Sequence, residues 1–81
     1  MTLDEFKSSE HVTGIKQVTK CLKRGAARKL YLAHDAEAGV IEPLRELAHE
    51  CGLEPDESAS MQELGRACGI KVDAAAAAIL K

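Results

Sequence analysis

The stretch GIKQVTKCLKRG, residues 14–25, sets Lys16, Gln17, Lys20, Lys23 and Arg24 along one short segment. Their chemistry is positive charge and hydrogen-bond donation. A lysine ammonium can donate to phosphate oxygens or to the O6 and N7 edge of guanine. A glutamine amide offers a base edge both a donor and an acceptor. The apolar residues Ile15, Val18 and Leu22 fall at i, i+3 and i+7, and the cations Lys16, Lys20 and Lys23 follow at i, i+4 and i+7, displaced by one position. This predicts an amphipathic helix with a basic outer face, with Thr13 as N-cap and Gly25 as the glycine that stops it. The first turn of such a helix has backbone N–H groups without helical partners and the positive end of the dipole, which suits phosphate. Gly14 lets a nucleic-acid backbone or base edge come close. Lys16, Gln17 and Lys20 can then read bases, while Lys23, Arg24, Arg28 and Lys29 position the backbone.

The rest of the chain is charged differently. Residues 11–34 carry six lysines and arginines and no acid, whereas residues 35–63 carry nine acids against Arg45 alone, so the net charge of −2 hides two blocks of opposite sign. Segregation of this kind steers a polyanion to one face and keeps it off the other. Other chemistry is sparse. His11, His34 and His49 are scattered, and no phosphate-cradling glycine loop, metal-ligand cluster or nucleophile elbow is present. Glu42, Glu46 and Glu50 recur every four residues, as on a solvated helix face. Cys21, Cys51 and Cys68, odd in number and widely spaced, suggest buried free thiols and neither a disulfide framework nor a zinc site. No catalysis and no cofactor are expected.

Eighty-one residues, 46% of them hydrophobic and only Phe6 and Tyr31 aromatic, predict one domain over residues 1–81 with an aliphatic core. The polar, acidic start MTLDEFKSSE is unlike a signal peptide, no apolar run can span a bilayer, and a cytoplasmic monomer is expected. After the basic helix, KLYLAH (residues 29–34) reads as a buried strand. Val40, Leu44, Leu47, Ala48 and Cys51 form the stripe of a second helix, ended by Gly52 and begun near Val40 to Glu42 because Pro43 suits a first turn. Ser60-Met61-Gln62-Glu63 fits a capping box opening a third helix, closed by Gly69. EPDES, residues 54–58, stands where a strand is due, but its proline and acids reduce it to an edge or a loop. The Ala-rich tail has helix propensity, with Asp73 as its N-cap.

GIKQVTKCLKRGAARKLYLAHDAE together with LGRACGIKVDAAAAAIL resembles the kink-turn RNA-binding ribosomal protein family, which includes the archaeal large-subunit "seven-Ae" type and small bacterial members. The resemblance spans roughly residues 12–80. Gly14, Lys16, Gln17 and Lys20 occupy the family's Gly-x-Asn-Glu-x-x-Lys pattern; Ala33 and Asp35 match its Ala-x-Asp, and Leu64, Gly65, Ala67 and Gly69 its Leu-Gly-x-Ala-x-Gly. Lys16 replaces asparagine and Gln17 replaces glutamate, making this a variant reader. The resemblance implies an α/β fold, a three-layer α/β/α sandwich around a small mixed central sheet, with the tail as a strand. It implies binding of a sharply kinked RNA with tandem sheared G·A pairs, ribosome association, and a loop of Ile70, Lys71 and Val72 beside the nucleotides extruded at the kink. Glu37 and Ile41 would line the pocket of a flipped-out base. The alternative from charge alone is a protein-interaction module using the acidic helix face.

Overall fold

Residues 10–81 are described by the computed structural model of the chain; the acidic start and Phe6 fall in residues 1–9 and lie outside the described residues. The elements run β1 (His11–Thr13), α1 (Ile15–Lys23), β2 (Ala27–Leu32), α2 (Ala38–Glu50), α3 (Met61–Ala67) and β3 (Ala76–Leu80). The basic helix forms as its periodicity predicts, with Val18, Cys21 and Leu22 buried. Its N-cap is Gly14, not Thr13, because Thr13 ends a short strand paired with Ala77. α2 begins at Ala38, earlier than Pro43 suggested. The proline lacks the N–H that would reach the Gly39 carbonyl one turn back, and Gly39 is exposed, so the missing bond falls on the outer side of the helix.

The sheet order is β1-β3-β2, and both pairings are antiparallel. The Ala-rich tail is therefore the central strand. Ala76, Ala77, Ala78 and Ile79 are fully buried. Tertiary pairing on both edges overrides helix propensity here, because two strands depend on this one for their hydrogen bonds. The expected mixed sheet is not formed by the named strands. Its parallel component is a single bridge between Tyr31 and Asp56, in which Asp56 N–H donates to the Leu30 carbonyl at 2.9 Å and Leu32 N–H donates to the Asp56 carbonyl at 3.0 Å. The Asp56 carboxylate then accepts from the Ser58 N–H (3.0 Å) and hydroxyl (2.6 Å), turning the chain away. Desolvation pushes the Asp56 carboxyl up, but these two bonds together with nearby positive charge, Lys29 included, hold it below the usual range.

Strand alternation divides the core. Ala76, Ala78, Leu30 and Leu32 pack with Val18, Leu22, Ile41, Leu44 and Ala48 of α1 and α2. Ala77, Ile79 and Tyr31 pack with Leu64 of α3 and with Ala33 and Ala74. Each fully buried leucine or isoleucine contributes on the order of 2 kcal/mol, which anchors the helices to the sheet. The capping box of α3 is present: Glu63 N–H donates to Ser60 Oγ at 3.2 Å and Ser60 N–H to Glu63 Oε1 at 3.0 Å. The backbone bond from Ser60, then the hydroxyl contact, draws the Glu63 carboxyl below its ordinary value.

The cysteines correct one expectation. Cys21 is buried, Cys68 is half-buried and Cys51 is exposed. Cys51 is the C-cap of α2, one position past the last turn, where the apolar stripe has rotated off the core; its thiol donates to the Leu22 carbonyl at 3.2 Å. Burial pushes the Cys68 thiol up to about 11, and also raises Cys21, against the opposing charge of Arg24.

Candidate nucleic-acid interface

The start of α1 is built by an abrupt change of chain direction. Thr13 is in β1 and Ile15 is already helical, so Gly14 makes the whole turn, with φ 88° and ψ 150°. That conformation belongs almost solely to glycine. Its two chain neighbours apart, no atom of the described residues lies within 4 Å of where a Cβ would stand, so the glycine is required by its backbone and not by crowding. Gly14 N–H donates to the Ala76 carbonyl at 3.2 Å, and its own carbonyl accepts from Val18 N–H at 3.0 Å. The turn is thus fastened to the sheet on one side and to the helix on the other.

Lys16, Gln17, Lys20, Lys23 and Arg24 are all exposed. The first turn has no acidic residue and no side-chain cap, so neither a carboxylate nor a hydroxyl competes for its N–H groups. Gln17, Lys20 and Arg24 share one side of α1, where they line a shallow cavity of about 280 Å³ floored by Val12, Cys21, Ala26 and Leu80. Lys16 and Lys20 stand one turn apart on the outer surface.

Strand register brings two loops to the same end. Ala76, bonded to Gly14, pairs with Leu32, and Ala33 N–H donates to the Ala75 carbonyl at 2.9 Å. The 70–75 loop and the 33–37 loop therefore flank the first turn of α1. Gly69, with φ 76°, ends α3 and opens the first of these loops: Ile70 N–H returns to the Gly65 carbonyl at 3.1 Å. In that loop Ile70 is half-buried and Lys71 exposed, while Val72, at 70% exposure, is the large hydrophobic side chain left open to water. Glu37 is the exposed N-cap of α2. Ile41 differs: at 3% exposure it belongs to the core beside Leu44 and Ala48, so of that pair Glu37 alone presents its side chain to solvent.

The remaining cations lie elsewhere. Lys23 and Arg24 finish α1, about 12 Å along the axis from its start at 1.5 Å per residue. Arg28 sits at the start of β2, next to Ala27, which pairs with Leu80 at the far end of the sheet. Gly14, Lys16, Gln17 and Glu37 are thus gathered at one end, residues 70–72 lie along α3 and lead to that end through Ala74 and Ala75, Lys20 lies midway, and Lys23, Arg24 and Arg28 stand toward the other.

Two residues that the sequence reading passed over hold this end together. The Asp35 carboxylate accepts from Met61 N–H at 2.8 Å, capping α3 from another loop, and Gly65 abuts the backbone of Val72. Both sit inside the quoted Ala-x-Asp and Leu-Gly-x-Ala-x-Gly patterns, which was the available signal. No group of histidine, cysteine, aspartate or glutamate suited to a metal ion occurs among the described residues, and no helix among them is long and apolar enough to cross a membrane.

Fold and surface together define a small α/β domain that leaves a positively charged helix start open between two loops. A family model described as the Ribosomal protein L7Ae/L30e/S12e/Gadd45 family matches residues 4–81, and the chain belongs to that family. It is similar to the RNA-binding protein YbxF of Geobacillus stearothermophilus, 41% identical over 76 residues, which are 94% of this chain and 93% of that protein. An RNA-binding protein of Bacillus pumilus is 37% identical over 81 residues, 99% of each chain. Among solved structures, the Giardia lamblia 15.5kD RNA binding protein superposes with a TM-score of 0.86 at 26% identity, covering 98% of this chain and 70% of that one.

Proposed function

We propose that this chain is a non-catalytic RNA-binding protein that recognises and stabilises kink-turns through the N-terminal end of α1. The observation that carries the reading is the exposed, acid-free first turn of α1, bearing Lys16 and Gln17 with Lys20 behind them, fastened by Gly14 beside the 70–75 loop. The relatives described as RNA-binding proteins support the ligand class. A regular A-form helix hides its base edges in a deep, narrow major groove, so a protein reads places where that groove is opened. A kink opens it and crowds phosphates together. The helix end relieves their repulsion, so binding and bending are one equilibrium: the protein binds the kinked state and thereby populates it. Lys16, Gln17 and Lys20 contact the G·A pairs; Lys23, Arg24 and Arg28 hold the backbone further along. The loop of Ile70, Lys71 and Val72 forms a partly apolar wall, and Glu37 meets the extruded nucleotides from the other side.

The chain acts as one domain and as a monomer, with the two apolar clusters on opposite faces of the sheet supporting a three-layer arrangement. Ribosome association is part of the same reading, supported by the family's description. The acidic face of α2, with Glu42, Glu46 and Glu50 exposed, keeps a polyanion off that side. Fluorescence transfer across an end-labelled kink-turn duplex tests the proposal. Added protein should bring the ends together, and should not do so when the G·A pairs are replaced by Watson–Crick pairs. Equal response from both duplexes would rule out kink-turn recognition.

A further inference from the structure

The proposed RNA wall at residues 70–72 rests on an element other than the helix it serves. It is seated on α3. A methyl group on Gly65 would overlap the Val72 carbonyl oxygen and press on the Asp73 Cα at 3.3 Å, so the loop lies directly against the bare helix backbone. Gly65 has none of the positive φ values that excuse other glycines, so closeness alone accounts for it. Ala74 N–H then donates to the Met61 carbonyl at 3.1 Å, one helical turn back. The same Met61 donates its N–H to Asp35 at 2.8 Å, and His34 N–H donates to the Ala59 carbonyl at 3.0 Å. Residue 61 therefore joins the 70–75 loop to the 33–37 loop, and α3 is the spacer between them. Ser60 and Glu63 already cap this helix, so the Asp35 bond is not needed to start it.

We propose, on the strength of the kink-turn reading, that Gly65 and Asp35 are positioning residues which, without touching RNA, set where Val72 stands relative to the first turn of α1. The close seat at Gly65 fixes the height of the loop; the Asp35 bond fixes α3 against the end of β2. Gly65→Ala lifts Val72 away from the extruded nucleotides while leaving Lys16, Gln17 and Lys20 in place.

A double-mutant cycle on the full chain separates this role from simple destabilisation. Kink-turn affinity is measured by fluorescence transfer for wild type, Gly65→Ala, Val72→Ala and the double variant, at a temperature where circular dichroism finds all four folded. Each single change should weaken binding about tenfold, and the double variant should be no weaker than Gly65→Ala, because Val72 has already lost its place; this is the behaviour of coupled neighbours. Losses that multiply, or an unchanged affinity for Gly65→Ala, would overturn the inference while leaving kink-turn recognition intact. If Gly65→Ala does not fold, Asp35→Ala takes its place in the cycle with the same expected and overturning outcomes. Failure of the wild type to bend the duplex would overturn the functional reading, and the positioning role with it.

Discussion

Replacing Gly14 by alanine tests the turn on which the interface is built. With φ 88° and ψ 150°, an alanine held in the native backbone is strained by about 1–3 kcal/mol. Because, chain neighbours apart, no atom of the described residues lies within 4 Å of the new Cβ, steric crowding adds nothing to that figure. If the backbone instead relaxes to negative φ, the Gly14–Ala76 bond breaks, at about 1 kcal/mol, and the first turn of α1 swings off the sheet. Both routes lower stability. At roughly 4–8 °C per kcal/mol for a domain of this size, the unfolding midpoint should fall by about 4–24 °C. Asparagine should do no better than alanine, since its tolerance is for the left-handed helical region; Gly69→Asn, at φ 76° in a helix stop, should be the milder change. Thermal unfolding followed by circular dichroism measures the first effect, and a kink-turn titration below the transition measures the second. An alanine variant with the wild-type midpoint and wild-type affinity would refute the claim that this glycine sets the helix entry.

Lys20→Ala should weaken kink-turn binding by about 1–3 kcal/mol, the value of one good base contact, with unchanged unfolding; a titration with matched controls checks it. Arg24→Ala should act on the backbone instead, lowering the slope of log affinity against log salt by about one while sparing the preference for G·A pairs. A thiol reagent should label Cys51 promptly in the native protein and reach Cys21 and Cys68 only on unfolding, since burial raises both thiols. The Glu63 carboxyl titrates below its ordinary value of 4.5, so its contribution to stability is present above that value and lost as pH falls through the lower folded one. Glu63→Gln should therefore flatten that part of the acid limb in urea unfolding measured against pH.

The helices were legible because their signals are local. The period of Ile15, Val18 and Leu22 located α1, and Ser60 with Glu63 located α3 to the residue. β1 was not legible: three residues, His11 to Thr13, are too few to show a period, and missing it moved the expected N-cap to Thr13. The alanine tail was readable as a strand only through the family pattern, since its strand character comes entirely from partners distant in sequence. The cations of the site were plain in the sequence, and register alone told which of them share an end with Ala75 and the 33–37 loop. Asp35 and Gly65 were quoted without a role, because a carboxylate reaching another loop and an absent side chain leave no periodic trace.

Order of synthesis and order in space disagree in this chain. β3, the last of the six elements described, stands in the middle of the sheet, and among the described residues every rung of the ladder apart from the bridge at Asp56 passes through it. Until β3 has been made, β1 and β2 lack the strand that pairs with both of them. Closure waits for five residues, three of them alanine, to slide between two edges already made. Assembly of the sheet consequently waits for β3, and a chain cut before Ala76 leaves β1 and β2 without the strand that joins them.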